Sequence, residues 1–313
     1  MSDEQNQQTG DSSNATAMCC AQFYEQDIVQ ELMGGSYHPG GEALSLTLAQ
    51  ELGLNAGTDV LDVACGVGTM TRLMAFQLGL NATGLDFGEV NVQKAKALTQ
   101  EAIAQGKANP AAGSDDEPCC APGDPCCTPN DALTQLGGSE NPTVAIEPGV
   151  TDFVQGSADS LPFAEAKFDG LTCECAVSTF ADQTKVAEEF YRVLKPGGVF
   201  GMTDMVLNGE LPTEFAEKVA PWTCMAKALT ADGYTQLFEA AGFKRISLGD
   251  HSHTLIELAT DMKRKLVMAG MGKALGALPG LGLNLSEMRG MLATATELVK
   301  AGTVQYGSLV FKK

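Results

Sequence analysis

The chain has 313 residues, 44% of them hydrophobic, with 39 acidic against 20 basic side chains and a net charge of −19. That length allows one large α/β domain with additions or two modest domains, and that apolar share excludes wholesale disorder. A field of this sign repels phosphate backbones and anionic lipid, and no apolar run reaches the roughly 18–20 residues of a membrane span, so neither nucleic acid nor membrane is an expected partner.

Residues 1–18 are polar and read as a disordered tail; Ser2, Asp3, Glu4, Gln5 and Asn6 lack the basic-then-apolar order of a signal peptide, which points to the cytoplasm. A short helix over 20–33, the turn His38-Pro39-Gly40-Gly41 and a helix to about Leu52 make an N-terminal lid, 19–55. Alternation then begins. Asp59–Val63 reads as a buried strand, Thr69–Leu78 as a helix, Ala82–Leu85 as a strand closed by Asp86, and Glu89 to about Gln105 as a helix. Strand, helix, strand, helix predicts a parallel sheet with right-handed crossovers. Residues 106–142, rich in Gly, Pro, Ala, Asp and Asn, read as a mobile Cys-rich insertion.

Order returns with strands at Thr151–Gln155 and Phe168–Thr172, a helix at Lys185–Leu194 ended by Lys195-Pro196-Gly197-Gly198, and a strand at Val199–Asp204. A helix at Tyr234–Ala241 and a strand at Lys244–Leu248 complete a core spanning 56–254. Helices over Leu255–Leu275 and Ser286–Lys300, then a last strand at Val304–Phe311, fill 255–313.

A strand, a Gly-rich turn and a helix form a nucleotide-binding arrangement: glycine lets the backbone approach the ligand, and the helix N-terminus faces it. Here the strand carries Asp62, the turn is Ala64-Cys65-Gly66-Val67-Gly68, and Asp86, with Phe87 beside it, stands at the end of the next strand to meet a ribose. The dinucleotide pattern G-x-G-x-x-G requires Gly where Thr71 stands, which counts against a nicotinamide cofactor.

With these motifs the chain resembles the class I methyltransferases that use S-adenosyl-L-methionine (SAM). VLDVACGVG (Val60–Gly68) resembles their first motif and GLDFG (Gly84–Gly88) the second. GSADSLPF (Gly156–Phe163) resembles the third, with Ser157 and Ala158 near the adenine, and RVLKPGG (Arg192–Gly198) resembles the turn before strand five. The resemblance implies a doubly wound, Rossmann-like seven-stranded sheet, mostly parallel with the last strand antiparallel, and SAM at the C-terminal edge. It implies cofactor contacts from Asp62, Ala64, Cys65, Gly66, Gly68, Asp86, Phe87, Ser157, Ala158 and Glu174.

The ten cysteines favour thiolate chemistry over a disulfide framework. Glu174-Cys175-Ala176-Val177 followed by AEEFYRVLKPGG, with Cys224 in PWTCMAKAL, is similar to arsenite methyltransferases. That narrower resemblance implies that Cys175 and Cys224 hold As(III), whose lone pair takes the methyl group in line, with a thiol as reductant. Where that family carries a further cysteine Thr71 stands; Cys65, Cys19 or Cys20 are then candidates for a third thiol. Period-two alternation places Cys173 and Cys175 on one side of their strand and Glu174 on the other. The pairs Cys119-Cys120 and Cys126-Cys127 match no common zinc spacing and fit either metalloid capture or an inert insertion. Two alternatives stay open: a C- or O-methyltransferase of a small organic molecule, and a metalloid-binding protein without turnover. His38 is a turn cap or part of the cofactor lid. His251 and His253 read as surface residues, and Met268 and Met271 as packing.

Overall fold

A computed structural model describes residues 38–107, 148–219, 225, 227–271 and 285–313. The tail, the 20–33 helix, the Cys-rich insertion, Cys19, Cys20, Cys119, Cys120, Cys126, Cys127 and Cys224 therefore lie outside the described residues.

In chain order the elements are α1 (Gly41–Glu51), β1 (Asp59–Val63), α2 (Thr69–Leu78), β2 (Asn81–Asp86), α3 (Glu89–Ala104), β3 (Thr151–Gln155), β4 (Phe168–Glu174), α4 (Gln183–Val193), β5 (Leu194–Leu207), α5 (Thr213–Lys218), α6 (Ala231–Ala240), β6 (Lys244–Asp250), α7 (Ser252–Met271), α8 (Leu285–Lys300) and β7 (Val304–Lys312). The strands form one seven-stranded sheet in the order β3-β2-β1-β4-β5-β7-β6. Pairing is parallel except where β7 runs antiparallel to both β5 and β6. The architecture is the doubly wound, Rossmann-like sheet expected from the motifs. Among the described residues, no helix is long and apolar enough to cross a membrane.

Apolar β1 and β4 lie at the centre because both of their faces are covered. On one side, Leu48 from α1, Leu52 just past its end, and Met70, Leu73 and Met74 from α2 pack over Val60 and Ala82. On the other, Phe190 of α4, Phe200 of β5, Phe238 of α6 and Phe311 of β7 form a stack of rings 4.7–6.3 Å apart. A third cluster joins Leu44 of α1 to Met205, Phe215, Met225, Val304 and Tyr306 beyond the strand ends.

Several boundaries differ from expectation for local reasons. Helix α4 begins at Gln183 because Asp182 accepts a hydrogen bond from the Lys185 amide at 3.0 Å. Helix α6 begins at Ala231 because the Thr230 hydroxyl accepts from the Gly233 amide at 2.9 Å. Both are side-chain N-caps placed ahead of the apolar periodicity that marks the helix body. Strand β4 runs two residues past Thr172, since Cys173 and Glu174 pair with Met202 and Thr203. Strand β5 continues to Leu207 because β7 pairs with it from Val199 through that residue. Two pieces carried no apolar period long enough to read: α5 and a 3₁₀ turn at Val177–Thr179.

Candidate active site

The strand order reverses direction between β1 and β4, where chains leave for opposite faces and a crevice opens at the C-terminal edge. The turn after β1 forms its crest. Ala64, Gly66 and Gly68 all adopt left-handed backbone, with φ of 59°, 54° and 78°. Ala64 is strained there and is held by the hydrogen bonds around it, the Cys65 amide donating to Leu85 O at 3.0 Å and the Gly68 amide to Cys65 O at 2.8 Å. The need for Gly68 is twofold: its φ, and the Phe153 ring, which would stand 2.5 Å from any Cβ. A Cβ at Gly84 would likewise stand 2.7 Å from the same ring, so Phe153 wedges beneath the crest and leaves no room for a side chain there.

Asp62 is 2% exposed and accepts hydrogen bonds from Thr71 (2.6 Å) and Thr172 (3.1 Å). It ties β1 to α2 and β4 beneath the crest. Thr71, read in the sequence as a missing glycine or thiol, is thus the hydroxyl that satisfies this carboxyl. Burial pushes Asp62 up to about 7, against the Thr71 hydrogen bond and with help from the nearby charges of Glu174 and Asp86. Asp86 takes the Gly66 amide on one oxygen at 2.9 Å. Its other oxygen accepts from the Gly88 amide at 2.8 Å and the Asn91 amide group at 3.1 Å. It clasps the crest to the start of α3. Phe87 next to it is 59% exposed.

The third motif folds as a small loop in which the Ser157 hydroxyl donates to Asp159 at 2.5 Å. The acid of this loop is therefore Asp159, which sequence reasoning passed over. Ala158 points into the main core beside Leu161, leaving only its backbone toward the crevice. Cys65 packs on Phe153, Val92 and Ala95; burial, then the charges of Asp62 and Asp86, push its thiol well above the usual range. It stays a thiol at neutral pH and works as packing.

On the β4 side, Glu174 is 7% exposed. One of its oxygens accepts from the Ser45 hydroxyl of α1 at 2.7 Å, and His38 Nε2 stands 3.5 Å from the same oxygen. The other oxygen is buried and has no hydrogen-bond partner among the described residues. Cys173 and Cys175 do not share a side, contrary to simple alternation. Cys173 is fully buried in the main core. Cys175 has a left-handed φ of 51°, which ends the strand and turns its side chain onto the cluster of Leu44, Met205, Phe215 and Tyr306. Its amide donates to Thr203 O at 2.7 Å. Among the described residues no group of three or more His, Cys, Asp or Glu side chains is placed to hold a metal ion.

Asp204, read in the sequence only as a strand end, is a second buried carboxyl. It accepts from the Ser178 amide (2.9 Å), the Ser178 hydroxyl (2.6 Å) and the Met205 amide (2.7 Å), fixing the 3₁₀ turn that follows Cys175. Burial pushes it up to about 7 against these hydrogen bonds. His251 pairs with Ser308 at 2.9 Å on the far edge of the sheet, away from the crevice elements.

Comparison with known proteins agrees with this geometry. Residues 131–202 match a family model described as a methyltransferase domain. The structure of phosphoethanolamine N-methyltransferase 2 from Haemonchus contortus, solved with SAM, aligns with a TM-score of 0.63 at 15% identity, over 94% of this chain and 60% of that one. The likeness is one of fold, a doubly wound sheet shared with solved methyltransferases. The methyltransferase phqN of Penicillium fellutanum is 23% identical over 209 residues, covering 65% of this chain. This chain spans about half of that relative, 51% of its length. An arsenite methyltransferase of Halobacterium salinarum is 28% identical over 98 residues, 31% of this chain and 25% of that one.

Proposed function

We propose that this chain transfers a methyl group from SAM to a small-molecule acceptor. The observation that carries the reading is the carboxylate-lined crevice at the switch point: Asp86 clasping the glycine crest, and Glu174 across from it with one buried oxygen unpartnered. A cation-bearing nucleoside suits such a site, because Glu174 and Asp86 both lie close enough to Asp62 for it to feel their charge. When bound, SAM supplies an electrophilic methyl on a sulfonium. The chain's part is to hold and orient: Asp86 and Phe87 at the ribose and adenine end, the crest backbone at the middle, and Glu174 at the amino-acid end.

For the acceptor, the reading carried by Cys175 is trivalent arsenic held by the thiolates of Cys175 and Cys224. Support comes from the left-handed turn that takes Cys175 out of the main core, where Cys173 lies, and onto the cluster beyond the strand ends, and from the partial likeness to an arsenite methyltransferase. Thiolates are suited to a soft centre. The arsenic lone pair forms the new As–C bond as the methyl–sulfur bond breaks, and a thiol reductant returns the oxidised arsenic to the trivalent state. An organic acceptor is the second reading. It is favoured by the apolar surroundings of Cys175, where Leu44, Met205, Phe215 and Met225 offer no charged group.

Mass spectrometry of products after incubation with SAM, a thiol and arsenite, with antimonite and selenite in parallel, separates these. Methylated arsenicals that vanish in both Cys175→Ser and Cys224→Ser uphold the arsenic reading. Equal turnover in both variants sinks it. Tight arsenite binding without any product marks a metalloid-binding protein.

A further inference from the structure

Helix α1 and the turn before it bring two side chains, Ser45 and His38, to Glu174 that neither the motifs nor the comparisons assign. The Ser45 hydroxyl is fully buried and donates its proton to Glu174 Oε2. His38 Nε2 stands 3.1 Å from Ser45 Oγ, and His38 Nδ1 stands 3.1 Å from Pro39 O. A hydroxyl has one proton, and here Glu174 receives it. The contact between Ser45 and Nε2 therefore takes the imidazole N–H as donor. His38 Nε2 also lies 3.5 Å from Glu174 Oε2, so the ring and the hydroxyl converge on one carboxylate oxygen. One oxygen of the carboxylate is thus fully committed.

The other oxygen, Oε1, is left buried and, among the described residues, without a donor. A desolvated carboxylate oxygen left unpaired is costly, so the arrangement is one that a ligand's donor completes. The charge around it selects the donor. Asp62 and Tyr306 are both pushed up in part by the Glu174 charge, and Asp86 adds to the field at Asp62. The Tyr306 hydroxyl is spent on Thr203 at 3.0 Å. A cationic N–H donor fits. The methyl donor has two cationic centres, but its sulfonium carries no hydrogen to donate; only its ammonium does both.

We infer that His38 and Ser45 are positioning residues that fix Glu174 Oε2 so that Oε1 receives the ammonium of the methyl donor's amino-acid arm. The inference rests on the SAM-binding reading above. It makes α1 a clasp: the turn and first helix sense the amino-acid end of the ligand through one carboxylate.

Two ligands that differ in that arm alone provide the test. S-adenosylhomocysteine keeps the ammonium, and 5′-methylthioadenosine lacks the whole amino-acid arm. Isothermal titration of the full chain is run with both, on the parent and on Ser45→Ala, His38→Gln and Glu174→Gln. The expected result is a loss of about tenfold or more in S-adenosylhomocysteine affinity in each variant, with 5′-methylthioadenosine affinity held within about twofold. Equal losses for both ligands mean that the residues serve only to hold the fold, and overturn the inference. Unchanged affinity for S-adenosylhomocysteine overturns it as well, while leaving the SAM-binding reading intact. If the parent binds neither ligand, the SAM-binding reading itself falls, and this inference with it.

Discussion

The β1–β2 and β4–β5 halves of the crevice each rest on one buried carboxyl, and the two are built differently. Asp62 supports the glycine crest and receives only hydroxyls, those of Thr71 and Thr172. Asp204 supports the turn after Cys175 and receives the amides of Ser178 and Met205 in addition to a hydroxyl. Burial pushes both to about 7. The donors decide what each half tolerates. A hydroxyl can rotate and accept where it once donated, but a backbone amide cannot. The β1–β2 half is therefore adaptable at its anchor, and the β4–β5 half is rigid.

The largest contrast is expected from truncation. Asp204→Ala leaves two buried amides and a hydroxyl without acceptor, at about 1–3 kcal/mol for each group that water does not reach. Asp62→Ala strands only two hydroxyls, which can turn to nearby carbonyls. Urea unfolding should rank Asp204→Ala well below Asp62→Ala; the reverse order would break the comparison. A sharper version uses asparagine. Asp204→Asn must point an NH₂ at a backbone amide and is expected to cost about 1–3 kcal/mol. In Asp62→Asn either threonine hydroxyl can accept instead, so its cost should stay under about 1 kcal/mol. Equal costs would show that the donor type is irrelevant.

The shared feature of the two anchors has its own signature with pH. Each carboxyl holds its proton up to about 7 when folded, against an ordinary value of 3.8. Between those values the folded chain binds more protons than the unfolded one, so stability falls as pH rises from about 4 and levels off above about 8. The combined change is of the order of a few kcal/mol. Glu189, held below its ordinary 4.5 by Arg192, acts in the opposite sense but only at more acidic pH. Urea midpoints from pH 5 to 8 should decline in the parent and decline less in Asp62→Asn. A parent profile that rises across that range would contradict both anchors.

The two halves also differed in how far their sequence could be read. Around β1 and β2 the chemistry is local: Asp62, the glycine crest and Asp86 lie in short motifs, and strand β1 and helix α2 have the bounds their apolar pattern predicts. Around β4 and β5 it is not. Cys175 escapes period-two alternation because a left-handed φ reverses it, and no residue type announces such a turn in a cysteine. Asp204 takes its meaning from Ser178, and Glu174 from Ser45 and His38, partners brought together only by the sheet. Thr71 was legible as a departure from a glycine pattern, but its hydrogen bond to Asp62 was not.

The smallest expected effect probes the adaptable half at its rim. Phe87 is 59% exposed beside Asp86 and belongs to none of the described apolar clusters. Phe87→Ala should move folding stability by no more than about 0.5 kcal/mol. If the ring lies against the adenine, as the motif resemblance implies, loss of stacking should weaken 5′-methylthioadenosine by roughly three- to tenfold. The same variant should leave the difference between S-adenosylhomocysteine and 5′-methylthioadenosine unchanged, because that difference arises at Glu174. A loss confined to S-adenosylhomocysteine would place Phe87 at the amino-acid end instead and would invert the orientation assigned to the donor in this crevice.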